Sequence, residues 1–194
     1  MPLWYTTIEV IFLKYGIYKN ARNASWQCLI DCCVSSLPIK PVKIAAHYGI
    51  ICKMATREQL KGTSGEISVI DDEIYISFRE DESKNRQRYT IMHELGHYLL
   101  GHLGSIPLSR AESDCRPEEE QAADKFAIDM LAPACVLWGL NLHTAEDIAN
   151  KCNISLQAAQ FRAQRMELLY QRNKFLLHPL ERQVFEQFKT FLLK

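Results

Sequence analysis

A chain of 194 residues, 47% of them hydrophobic, can bury a sizeable core and is too apolar for a disordered tail. Lys plus Arg and Asp plus Glu number 23 each, so no net field draws it to nucleic acid or membrane, and either kind of binding would need a local patch. The seven cysteines, at 28, 32, 33, 52, 115, 135 and 152, are odd in number and form no CxxC pair, which argues against a disulfide framework or a cysteine-built zinc site and for reduced thiols.

The opening "MPLWYTTIEVIFLKYGIYKN" lacks a basic leader and a small-residue cleavage site, and Glu9 and Lys14 interrupt its apolar run. The expectation is a cytoplasmic protein without signal peptide or membrane span. Residues 1–37 read as helical, with Ser25 as a cap and Trp26, Leu29, Ile30 and Cys33 on one face. A short helix through Val42, Ile44 and Ala45 follows two prolines and stops at Gly49.

From Gly65 the period changes. "GEISVIDDEIYISF" alternates Ile67 and Val69 on one arm with Ile74, Ile76 and Phe78 on the other, and Asp71 and Asp72 stand between them, which predicts a β-hairpin. After the polar "REDESKNRQ" a helix is expected from near Asn85 to Gly101. A second polar loop, "GSIPLSRAESDCR", leads to a helix opened by Pro117 and three glutamates, which suit its N-terminal dipole, and closed by Pro133. Helices at 145–151 and from Ser155 to about Tyr170, then an amphipathic tail with Val184, Phe185, Phe188, Phe191 and Leu192, complete the chain.

The chemistry is concentrated in "RYTIMHELGHYLLGH", residues 88–102. On a helix, residues four apart are offset by only about 40°, so His93 and His97 project from one face and can reach one metal ion. Glu94 lies about 100° round, where it addresses a water rather than the metal: the HExxH arrangement of zinc hydrolases. Gly96 removes a side chain and admits a neighbouring backbone. Apolar Ile91, Met92, Leu95, Tyr98, Leu99 and Leu100 bury the helix, and unpaired imidazole and carboxylate there would cost several kcal/mol.

Zinc needs a third protein ligand. His102, five residues past His97, points about 140° away on a continuing helix. The pattern HExxHxxGxxH fails because positions 100 and 103 are both leucine. In the following helix Glu120 shares a face with Ala123, Ala127 and Leu131, small residues that let two helices pack closely, with Asp124 one turn along as an acceptor for a ligand histidine N–H. Glu119 is the second choice as ligand. Tyr98, His102 and His143 are candidate oxyanion donors by chemistry alone.

A rival reading lies in "DIANKCNISLQAAQFRAQRM", where Ala149, Asn153, Ile154 and Ser155 have helix-turn-helix spacing and the second helix carries Gln157, Gln160, Arg162 and Arg165. Residues 141–194 hold eight Lys or Arg against five Asp or Glu, a local charge of +3 that is thin for a stand-alone DNA binder. The same pair also serves as packing, with Ile148, Ile154, Ala159 and Met166 inward. A third reading is an interaction protein with a vestigial or structural metal site; retention of Glu94 beside only three ligands favours catalysis.

The succession of hairpin, "RQRYTIMHELGHYLLGH" and "EEEQAADKFAIDMLAP" resembles the ImmA/IrrE family of metallopeptidases over roughly residues 35–135, with weaker likeness to 170. Matched position by position, the resemblance implies His93, His97 and Glu120 as zinc ligands and Glu94 as the catalytic glutamate. Tyr89 stands where phenylalanine is common and Asp124 where asparagine is common. It also implies an α+β, zincin-like fold, mostly helical, with a small antiparallel hairpin beside the HExxH helix. Residues 1–140 would form the peptidase core and 141–194 a helical C-terminal extension packed on it. The expected activity is zinc-dependent endopeptidase cleavage, in the cytoplasm, of a helix-turn-helix repressor of the kind tied to mobile elements and prophages; some members of the family are stress-response regulators.

Overall fold

A computed structural model describes residues 4–102 and 117–193, with backbone alone for 4–15 and Pro117. Met1–Leu3, residues 103–116, which hold the whole polar loop and Cys115, and Lys194 lie outside the described residues. Helix α1 spans Trp4–Asp31 and α2 Pro41–His47; strands β1, β2 and β3 are Ile50–Ala55, Gly65–Ile70 and Glu73–Arg79. Then follow α3 (Lys84–Leu99), α4 (Pro117–Leu131), α5 (Ala134–Gly139), α6 (Ala145–Cys152), α7 (Leu156–Arg172) and α8 (Pro179–Leu192). Predominantly helical with one small sheet, the molecule is of α+β composition.

Ser25 does not cap a helix. It lies inside α1, fully buried, and its hydroxyl donates back to the Arg22 carbonyl at 2.7 Å, the usual outlet for a serine within a helix. The buried residues of α1 are Ala21, Ser25, Trp26, Cys28 and Leu29, whereas Cys33 falls past the helix end with a φ of 50° and is exposed.

The hairpin forms as its sequence predicts. Asp71 and Asp72 both take positive φ, 50° and 64°, the two-residue turn whose twist matches that of the strands it joins. Ile67 pairs with Ile76 and Gly65 with Phe78, which puts the buried side chains Ile67, Ile76 and Phe78 on the face toward the helices. The sheet is larger than a hairpin, however: β1 joins β3 in parallel, with Ile50 opposite Ile74, so the order is β1-β3-β2 and the sheet is mixed. Only a non-local partner makes "IICKMA" a strand, and its own alternation is too short to announce one.

Ser83 caps α3 by accepting from the Arg86 N–H, and the helix ends at Leu99 with Gly101 at φ 77°. It lies against β2, β3 and, along its length, α4. Phe126, Met130 and Leu131 of α4, Met92 and Leu95 of α3, Leu29 of α1 and Ile76 of β3 form the centre of the core. Ile148, Ile154, Ala159 and Met166 are all buried, as the packing reading of α6 and α7 requires. Val184 and Phe188 are buried where α8 meets α1 and α5, and half-buried Phe185, Phe191 and Leu192 pack around them. No described helix is long and apolar enough to cross a membrane.

Candidate metal centre

The centre exists because α3 and α4 come unusually close. A Cβ on Gly96 would lie 3.3 Å from Ala123 Cα and 3.0 Å from the Phe126 ring, so any larger residue at 96 would push the two helices apart by a few tenths of an ångström. Ala123 and Ala127 are fully buried along the seam. One turn up α4 from Ala123, the contact brings Glu120 over His93 and His97.

His93 Nε2 lies 3.1 Å from His97 Nε2 and 3.1 Å from Glu120 Oε2, and His97 Nε2 lies 3.3 Å from Glu120 Oε1. These three residues form the one group of potential metal ligands among the described residues. The donor set fits zinc. Bonds of about 2.0–2.2 Å in a tetrahedron place ligand atoms about 3.3–3.6 Å apart, so separations of 3.1 to 3.3 Å need little adjustment.

Each histidine has a partner on its other nitrogen. His93 Nδ1 meets Asp124 Oδ1 at 2.9 Å, and the same oxygen accepts from the Tyr89 hydroxyl at 2.7 Å. His97 Nδ1 meets His102 Nδ1 at 3.0 Å, one ring donating and the other accepting. This corrects the expectation for His102: α3 does not continue, and the turn at Gly101 folds the ring back beside His97. Tyr89 was singled out in the sequence only as a family variation. Its spacing, four residues before His93 and eight before His97, was the available signal for a place on the same face.

The electrostatics favour positive charge at this point. Burial presses the His93 imidazolium down, but hydrogen bonds to Asp124 and Glu120 prevail and raise it to about 9. Burial works to raise Asp124, and the bonds from His93 and Tyr89 lower it on balance. Burial, followed by the His97 charge, lowers His102, which suits an acceptor role.

Glu94 occupies the other flank of α3, 6% exposed, beneath the start of β2. A Cβ at Gly65 would come within 3.7 Å of its Cγ and overlap Thr90 Cγ2 at 2.3 Å, so this glycine lets the strand lie against the helix beside Glu94. Among the other candidates, His143 hydrogen-bonds Asn141 and stacks on Tyr170 at 4.5 Å. Of the rival DNA-reading residues, Arg162 is buried and donates to Asp129 at 2.8 Å, which removes it from any nucleic-acid face.

Residues 55–164 match the family model of the IrrE N-terminal-like domain, Peptidase_M78. The match begins at the end of β1 and runs through β2, β3, both helices of the metal centre, α5, α6 and the first half of α7. No curated protein matches the chain.

Proposed function

We propose, for a chain that belongs to the ImmA/IrrE peptidase family, that it is a zinc-dependent metallo-endopeptidase whose substrate is a helix-turn-helix repressor. The observation that carries this reading is the convergence of His93, His97 and Glu120 beside a buried glutamate on the same helix. His93 and His97 would hold zinc through Nε2 and Glu120 through its carboxylate. When bound there, zinc supplies a Lewis acid that makes water a nucleophile near neutral pH.

Glu94 takes a proton from the attacking water and returns it to the leaving amine, so one carboxylate serves as base and then as acid. Its burial beneath β2 suits that task by limiting competing water. Asp124 and His102 fix the ring orientation of the two histidines, and Tyr89 steadies Asp124. Among the described residues β2 is paired on one side only, with β3, so its outer edge is available for an extended peptide to add as a strand beside Glu94. Family kinship alone supports the repressor as substrate.

The test has two stages. Elemental analysis of purified protein is expected to give one zinc per chain, lost in Glu120→Ala and kept in Glu119→Ala. Glu94→Gln is then expected to keep the metal and lose cleavage of a helix-turn-helix repressor supplied as substrate. Absence of zinc from wild type after zinc is supplied, or loss of zinc in Glu94→Gln, sinks the assignment of roles.

A further inference from the structure

On a different face of α4 from Glu120 and Asp124, a cleft of about 370 Å³ opens between α1, α4, α7 and the segment entering α8. Five cations line it: Arg22, Lys125, Arg162, Arg165 and Lys174. Among the described residues that line it only two carboxylates oppose them, Asp129 and Glu181, an excess of three positive charges in a small space. Asp129 pairs with both Lys125 and Arg162, so one negative charge is shared between two cations.

Arg162 carries the argument. It is 3% exposed, and among the described residues its guanidinium is satisfied at Nη1 alone, by Asp129, while Nε and Nη2 are buried without a hydrogen-bond partner. A buried guanidinium with unused donors is costly and calls for an acceptor. Like charge is gathered around it: Lys125, Arg165, Arg22 and Lys174 line the same cleft, and Lys125 shares Asp129 with it. A bound anion relieves both costs.

We propose that this cleft binds a small phosphoryl-bearing anion, held by Arg165 and Lys174 at its mouth and drawn toward Arg162 at its base. A phosphoryl group brings nearly two negative charges and three acceptor oxygens on one centre, which matches forked guanidinium donors better than a single carboxylate does. The volume exceeds one phosphate, and Trp26, Leu169 and Leu177 give part of the wall an apolar surface, so a second phosphoryl group or a base and sugar also fits. The cleft shares no residue with the metal centre, so binding there is independent of the peptidase assignment.

The experiment is calorimetric titration of the full chain with inorganic phosphate, pyrophosphate, ATP and a short DNA duplex, each at constant ionic strength. The expected result is saturable binding of one pyrophosphate per chain, weakened about tenfold in Arg165→Ala, the loss of one charge-assisted contact. Lys174→Ala should weaken it likewise, and Glu120→Ala should leave it unchanged. Both cleft variants alter exposed side chains, and circular dichroism melts in chloride check that they fold as wild type does. ATP binding tighter than pyrophosphate identifies a nucleotide, and the reverse order identifies inorganic polyphosphate. The proposal is overturned by absence of saturable binding, by binding lost in Glu120→Ala but kept in Arg165→Ala, or by binding of duplex DNA alone.

Discussion

Asp124 Oδ1 receives two groups at once, His93 Nδ1 at 2.9 Å and the Tyr89 hydroxyl at 2.7 Å, so a single carboxylate oxygen ties the first candidate ligand to a tyrosine one turn before it. Asp124→Ala is expected to leave the fold intact and lower zinc affinity about 10–100-fold, the usual cost of losing such support. Asp124→Asn keeps an acceptor and should lose less. Competition against a chelator of known affinity measures both, and equal affinities for wild type and Asp124→Ala would remove Asp124 from the site.

His102 makes the matching contact on the second histidine, 3.0 Å from His97 Nδ1. His102→Ala should also reduce zinc affinity, and His102→Gln, which restores an acceptor, should recover part of it. The same titration reads the result, and a rescue no better than alanine would mean that the ring packs against His97 without orienting it.

Gly96→Ala tests the approach of the two helices. The added Cβ meets the Ala123 backbone, which cannot swing aside as a side chain can. The cost is expected at about 1–3 kcal/mol, or about 2–4 °C of melting temperature for each kcal/mol in a chain of this size. Because the displacement carries Glu120 away from the histidines, zinc affinity should fall with it. A stable variant with unchanged affinity would show that the seam has more room than its distances imply.

Asp129 predicts a pH dependence. Burial works to raise its carboxyl, but the Lys125 and Arg162 charges prevail and hold it below the usual carboxylate range. The folded state therefore takes up the proton less readily than the unfolded chain. The stability contributed is complete above about pH 4 and is lost as pH falls through the depressed native value. Asp129→Asn should cost about 3–5 kcal/mol at neutral pH by stranding buried positive charge. Denaturant unfolding from pH 7 to acid should then show a flatter acid limb in the variant than in wild type. Parallel limbs would assign the acid sensitivity to other carboxylates.

Local patterns were legible wherever the chemistry is local. The i, i+4 histidines, the Asp71–Asp72 turn and the small residues ahead of Leu131 each declare themselves within a few positions, and the structure brings His93, His97 and Glu120 together. Contacts decided by distant partners were not legible. β1 depends on a register with β3 more than twenty residues away, His102 on how sharply the chain turns at Gly101, and the burial of Arg162 on a carboxylate thirty-three positions earlier. Ser25 misled for a related reason: a serine inside a helix and a serine before one look alike until its hydroxyl is seen bonded to Arg22.

Arg88, on the helix of the first histidine, donates to the carbonyls of Cys152 and Asn153 at 3.1 and 3.0 Å, where α6 ends. A fragment cut before α6 deprives that guanidinium of its acceptors, takes Arg162 from Asp129 and uncovers the wall on which Ile148 and Met166 rest. Trimming the chain to its histidine motif and flanking helices should therefore yield a loosened, aggregation-prone piece, and crystallisation or inhibitor screening calls for the whole polypeptide.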